Sequence, residues 1–200
     1  SLNPLTSIWL GNQTRIAAHY DFPHNLACCI AGRRRFTLFP PEQVANLYVG
    51  PMELSPGGQD ISLVDIDNPN FDTYPKFKQA LDASLTTELA PGDALFIPSM
   101  WWHHVAGLED FNALITHWWR DTPAYLGRPE AALELAILSL RSLPDAQRKA
   151  WQSLFEHYVF EPDLQKDAHI PADAKGMLTL PLDLPNAKKI RAGLLNKLKV

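Results

Sequence analysis

The 200 residues predict a mainly β domain of the sandwich or small-barrel class, followed by a C-terminal α-helical region. Up to about residue 120, short apolar or alternating runs recur between clusters of Gly, Pro, Asn and Asp, the pattern of many short antiparallel strands. Beyond Asp121-Thr122-Pro123 the apolar residues change to helical spacing. The chain is therefore divided into residues 1–122 and 123–200.

The strands are read in order. Ser7 to Leu10, Arg15 to Tyr20, Leu26 to Ile30 and Arg35 to Phe39 are each apolar or alternating. Gly11-Asn12, Phe22-Pro23-His24-Asn25 and Ala31-Gly32 supply the turns between them. Pro40-Pro41 ends the fourth strand, and Glu42 to Tyr48 follows as a short helix with Pro41 in its first turn. Residues 50 to 75, rich in Pro, Gly, Asp and Asn, read as a long surface loop of the kind that borders active sites. A short helix is expected over Pro75 to Ser84. Strands resume at Thr86 to Leu89, Ala94 to Ile97, His103 to Leu108 and Phe111 to Trp118. In the second region helices are expected over Pro129 to Leu143, Ala146 to Phe160 and Pro185 to Leu198.

Composition removes several function classes. A net charge of −4, with Arg33-Arg34-Arg35 as the only compact basic run in the first half, argues against a nucleic-acid partner. Cys28 and Cys29 are adjacent, so they cannot form an unstrained disulfide with each other, and no second pair completes a zinc site. They read as buried small residues of a strand in a reducing, cytoplasmic protein. No signal peptide or bilayer-length apolar stretch is present, so no membrane partner is expected. The chain opens Ser1-Leu2-Asn3 without an initiator Met, as expected of a processed start or of one downstream of a further segment.

Chemistry is concentrated in two motifs. His19 and Asp21 lie two apart on a strand or strand end, so both side chains can face one way while Tyr20 faces the other. Far along the chain, Pro91-Gly92-Asp93-Ala94-Leu95-Phe96-Ile97-Pro98 leads into Ser99-Met100-Trp101-Trp102-His103-His104. Two histidines and a carboxylate on neighbouring strands hold Fe(II) on one face and leave the other open. Consecutive strand residues face opposite ways, so only one of His103 and His104 can join His19 and Asp21. Alternation alone does not choose between them.

The stretches HYD…NLACCIAGRRRFTLFPPEQ and APGDALFIPSMWWHHV…ALITHWW resemble the JmjC-type cupins. Within these they are similar to bacterial cupin-like proteins related to the HIF-inhibiting asparaginyl hydroxylase. The resemblance covers about residues 6 to 122. It implies a double-stranded β-helix (cupin, or jelly roll) holding Fe(II) through His19, Asp21 and His103, with His104 facing away. It also implies 2-oxoglutarate as co-substrate, and hydroxylation of an unactivated C–H bond in a protein side chain or small molecule.

The family holds the distal carboxylate of 2-oxoglutarate with a Lys in a G-x-K-R pattern. Here Gly32-Arg33-Arg34-Arg35 puts Arg34 at that position, where its fork can take a carboxylate but is bulkier. Arg33 and Arg35 read as solvated turn residues. Asn25 matches a family asparagine beside the co-substrate. The family's Asn-Phe-Trp pattern is matched to His117-Trp118-Trp119, which makes His117 a pocket-lining replacement and Trp119 the aromatic wall. Ile16 replaces a family threonine. These departures support an alternative from another class, a non-catalytic or metal-only cupin acting as a binding or scaffold module.

Family members carry an upstream segment that supplies early strands, so a barrel short of strands is expected here. Residues 123–200, including LPDAQRKAWQSLFEHYVF, resemble the family's helical tail and imply a homodimer through the C-terminal helices. Trp151, Phe155 and Tyr158 are the expected helix–helix or dimer seam. Trp101 and Trp102 read as core and wall aromatics. His24 reads as exposed at the rim of the site, and His157 and His169 as structural or solvated.

Overall fold

The computed structural model describes residues 3–52, 55, 58–161 and 167–199. Ser1, Leu2 and four positions of the 50–75 loop lie outside the described residues. The chain separates into two compact units, Ser1–Asp121 and Thr122–Val200.

The first unit is built from eight strands: β1 (Leu5–Gly11), β2 (Arg15–Tyr20), β3 (His24–Ala31), β4 (Arg34–Phe39), β5 (Leu85–Leu89), β6 (Ala94–Ile97), β7 (Trp102–Gly107) and β8 (Asn112–Trp119). They form two antiparallel four-stranded sheets, ordered β1-β8-β3-β6 and β2-β7-β4-β5. This is the mainly β cupin, or jelly-roll, architecture. Residues 5–119 supply four strands to each sheet. Strand β3 begins at His24, so His24 and Asn25 belong to a strand and not to the predicted turn.

Alternation along the strands sorts the side chains into two cores. Between the sheets lie Ala27, Cys29, Phe36, Leu38, Leu89, Ile97, Val105 and Leu114. Cys29 is buried while its neighbour Cys28 is only half-buried, as adjacent strand residues must be. A second core covers the other face of the β2-β7-β4-β5 sheet and unites Ala18, Phe39, Leu47, Val64, Phe77, Ala80 and Trp102. Phe36, Phe39 and Phe77 are each almost wholly buried, contributing about 1.5–3 kcal/mol apiece.

The second core corrects the reading of residues 50–75 as a surface loop. Ser62 and Val64 are buried, and Ile66, Phe71 and Tyr74 pack on the cluster. The residues 61–82, with α1 (Phe77–Asp82), form a cover over the sheet. Polar bonds hold it in place. Arg15 and Arg35 both reach the Asp67 carboxylate, at 3.2 and 2.5 Å, so Arg35 is an ion-paired strand residue and not a solvated turn. Arg33 is half-exposed and pairs with Glu109 at 2.8 Å and Glu88 at 3.6 Å.

The second unit contains α2 (Glu130–Leu140), α3 (Asp145–Phe155) and α4 (Leu184–Lys197). The single helix expected to Phe160 ends at Phe155 and continues as a π-helical turn, Glu156–Phe160. Asp183 caps α4 by accepting from the Asn186 amide at 2.8 Å. Tyr125 ties this unit internally, donating to Leu182 O at 3.0 Å and accepting from Arg191 at its own carbonyl at 2.6 Å. Trp151 and Tyr158 of the expected seam are exposed, as are His157 and His169. No helix among the described residues is long and apolar enough to cross a membrane.

One turn demands glycine. Gly32 has φ +70°, and a Cβ there would lie 2.4 Å from both the Phe111 carbonyl and the buried Asn112 side chain. Gly32→Ala is expected to destabilise the first unit by about 2–3 kcal/mol through strain and overpacking, read as a lower urea midpoint at unchanged slope.

Candidate metal centre and co-substrate pocket

Strand β2 lies antiparallel to β7 with His19 directly opposite His103 and Tyr20 opposite Trp102. The register shifts between Ile16 and His19, a bulge of the kind that re-aims side chains next to functional sites. Ala18 falls into the outer core, while His19 pairs with His103 on the inner face. Tyr20 faces outward, its ring 4.9 Å from Trp102. Asp21 follows the strand end, and Oδ2 of its carboxylate lies 3.7 Å from His103 Nε2. Ligand atoms of His19, Asp21 and His103 all fall within 4.8 Å of one another, a group that could hold a metal ion.

Both imidazoles are pre-set for that task. His19 Nδ1 bonds to the Ala17 carbonyl at 2.9 Å and His103 Nδ1 to the Trp101 carbonyl at 3.1 Å. A carbonyl only accepts, so each Nδ1 carries the proton and each Nε2 keeps a free lone pair. Burial, followed by the neighbouring His19, lowers the His103 pKa to about 4 although Asp21 opposes the shift. His103 is therefore neutral near pH 7, as a ligand must be.

The loop before β7 is shaped around the same group. Met100 has φ +68°, rare for a residue with a Cβ, and its N–H donates to the Asp21 carbonyl at 2.9 Å. The Ser99 N–H donates to His24 Nδ1 at 3.0 Å, and His24 Nε2 lies 2.7 Å from Asp121. His24 is thus half-buried and fixed, where the sequence suggested an exposed rim residue.

His104 lies on the opposite face of β7. It is 4% exposed, 3.9 Å from Asp67, and burial lowers its pKa. It is not brought to His19 and Asp21.

Of the residues expected around the co-substrate, two face the interior and two do not. Asn25 is buried, and it shares the inner face with Ile97 and Trp118, its partners in register. Arg34 is 3% exposed and pairs with Gly107 on the face that also carries Phe36 and Leu38. Its Nη2 donates to the Trp9 carbonyl at 3.3 Å, Nε has no partner, and no carboxylate pairs with it among the described residues. His117 instead pairs with Thr6, its Nδ1 2.9 Å from the Thr6 hydroxyl on the outer face. Trp119 stacks outside on His24 and Phe96. Ile16 is also partly exposed.

The inward residues of β8 are Thr116 and Trp118, which the sequence matching missed by one position. Thr116 accepts from Trp9 Nε1 at 2.9 Å, and Trp9 meets Trp118 edge-on at 5.9 Å. The alternation Leu114, Thr116, Trp118 was available in the sequence once Leu114 was recognised as core. The inner faces of the strands therefore carry a buried guanidinium, the Trp118 indole N–H, without a partner among the described residues, the Asn25 amide and the Thr116 hydroxyl. Arg34 and Trp118 present donors that suit an anion, Thr116 accepts from Trp9, and the Asn25 side-chain oxygen has no partner among the described residues.

Residues 1–125 match the family described as "Cupin-like domain". Among curated proteins, the chain is 34% identical over 116 residues to "Lysine-specific demethylase JMJ31" of Arabidopsis thaliana, covering 58% of this chain and 21% of that one. It is 36% identical over 145 residues to "tRNA wybutosine-synthesizing protein 5" of Gallus gallus, covering 65% and 42% respectively. It is 30% identical over 152 residues to human "HSPB1-associated protein 1", covering 73% and 30%. The chain thus spans between about a fifth and two fifths of the length of these relatives.

Depression of the His103 pKa makes metal-free stability pH-dependent. The folded state resists protonation down to about pH 4, whereas the unfolded histidine takes its proton near 6.5. The contribution is complete above pH 6.5 and is lost as pH falls towards 4. Chemical denaturation across that window is expected to show falling stability in the wild type and a shallower fall in His103→Gln.

Proposed function

The chain belongs to the cupin-like domain family, and on that premise we propose that it is an Fe(II)- and 2-oxoglutarate-dependent oxygenase. His19, Asp21 and His103 would hold the iron. The observation that carries the co-substrate reading is Arg34, a buried cation without a carboxylate partner among the described residues, on the sheet face that also carries His103. Such a charge is costly to bury alone and is offset by an anionic ligand. Arg34 would take the distal carboxylate of 2-oxoglutarate. Trp118, Thr116 and Asn25 would orient the rest of the molecule.

When bound, iron with 2-oxoglutarate supplies the capacity to hydroxylate an unactivated C–H bond. The chain's own residues bind, orient and exclude water. Trp9 and Trp118 wall the interior, and the Nδ1 bonds of the two histidines hold their rings to the metal position.

The relatives named for lysine demethylation and for tRNA modification act on different materials, so a substrate does not carry over from them. We assign a protein side chain or a small molecule, with no nucleic acid, because the charge is acidic. Exposed Trp151, Leu154, Tyr158 and Phe160 support a homodimer through the second unit. Sedimentation of the chain as a dimer, and of Trp151→Glu with Tyr158→Glu as a monomer, is the expected result. A monomeric wild type excludes this reading.

The reaction class is tested by anaerobic addition of Fe(II) and 2-oxoglutarate. A visible metal-to-ligand charge-transfer band is expected in the wild type and in His104→Ala, and none in His19→Ala, Asp21→Ala or His103→Ala. Arg34→Met is expected to weaken 2-oxoglutarate about 10- to 100-fold, the worth of one charge-assisted bond. Trp118→Phe weakens it in the same direction, whereas His117→Ala and Trp119→Phe leave it unchanged. Stoichiometric iron without a band would sink 2-oxoglutarate as co-substrate and favour a metal-binding scaffold.

A further inference from the structure

We propose that Gln59 is a positioning residue for the metal centre, holding Asp21 as a one-oxygen ligand; this rests on the metal reading above. Residues 59–62 run alongside His19-Tyr20-Asp21 and are attached to it at successive points. Ile61 bridges to His19, the Ser62 N–H donates to the Ala18 carbonyl at 2.7 Å, and the Tyr20 hydroxyl donates to Asp60 at 3.0 Å. The Ser55 hydroxyl holds the Gln59 carbonyl from the other side. These attachments bring the Gln59 side chain to Asp21, where Nε2 donates to Oδ1 at 3.4 Å.

The two carboxylate oxygens of Asp21 are thereby distinguished. Oδ2 faces His103 Nε2 at 3.7 Å, inside the ligand group, while Oδ1 is turned to Gln59. An ionised carboxylate only accepts, so the amide must present its nitrogen; the reverse orientation would set oxygen against oxygen. A carboxylate free at both oxygens can swing and occupy two positions on a metal. With Oδ1 engaged, Asp21 offers Oδ2 alone and a further position stays open. Partners of this kind outside the ligand set typically alter metal affinity by 10- to 100-fold on removal.

The test is an anaerobic Co(II) titration of the whole chain without 2-oxoglutarate, following the visible spectrum in wild type, Gln59→Leu and Gln59→Ala. Both variants are expected to bind Co(II) about ten-fold more weakly, with a changed ligand-field spectrum. Their metal-free thermal midpoints should match the wild type, because Gln59 is exposed. A lowered metal-free midpoint with an unaltered Co(II) spectrum would mark a structural role and overturn the inference. Wild-type affinity and spectrum in both variants would overturn it alone, leaving the metal reading intact. A wild-type chain that takes up no Co(II) overturns both.

Discussion

The site depends on the register of β2 against β7. Because His19 stands directly opposite His103, the two rings approach with centroids 4.3 Å apart, and Asp21 completes the group just beyond the strand end. A slip of one residue would exchange the faces of a whole strand. A slip of β2 would turn His19 away from His103, and a slip of β7 would present His104 in place of His103. The register is held from both sides: Val105 and Leu38 anchor the inner core, and Trp102 and Ala18 the outer one.

The two faces of β7 make opposite demands on adjacent histidines. His103 is buried among its prospective co-ligands and neutral, with its proton fixed on Nδ1 by the Trp101 carbonyl. His104 is buried beside Asp67 under the cover, where burial outweighs the attraction of the carboxylate. One is presented to the interior and the other packs the sheet against residues 61–82. The chemistry of the doubled histidine therefore separates by geometry, since both carry the same ring.

Much of this was legible from residues. All eight strands could be placed because apolar runs alternate with Gly, Pro and Asn turns, and β2 matches its expected bounds. The HxD spacing specified which side chains share a face. The sequence was less informative where pairing, and not pattern, decides. In LITHWWR the four candidates Thr116, His117, Trp118 and Trp119 follow in succession, and their facing follows from Leu114 entering the core, a tertiary fact. Motif matching alone therefore assigns His117 and Trp119 inward, whereas the register turns Thr116 and Trp118 that way. The cover was also hidden, because its buried Ser62 and Val64 and its partly buried Phe71 and Tyr74 are scattered through a polar, turn-rich stretch without a period. Arg34 is found by motif, but its burial without a carboxylate partner among the described residues is seen only in three dimensions.

The cover has a consequence for how this scaffold could be altered. Residues 61–82 are bound into the sheet by the outer core and by Asp67, and Trp102 in that core is the covalent neighbour of His103. Changing that stretch would disturb the wall on which a ligand is mounted. None of the described residues between 50 and 60 belongs to the outer core, yet Gln59 and Asp60 are bonded to Asp21 and Tyr20. A redesign of the connection ahead of the cover would therefore have to keep those two bonds, because they sit beside the ligand group.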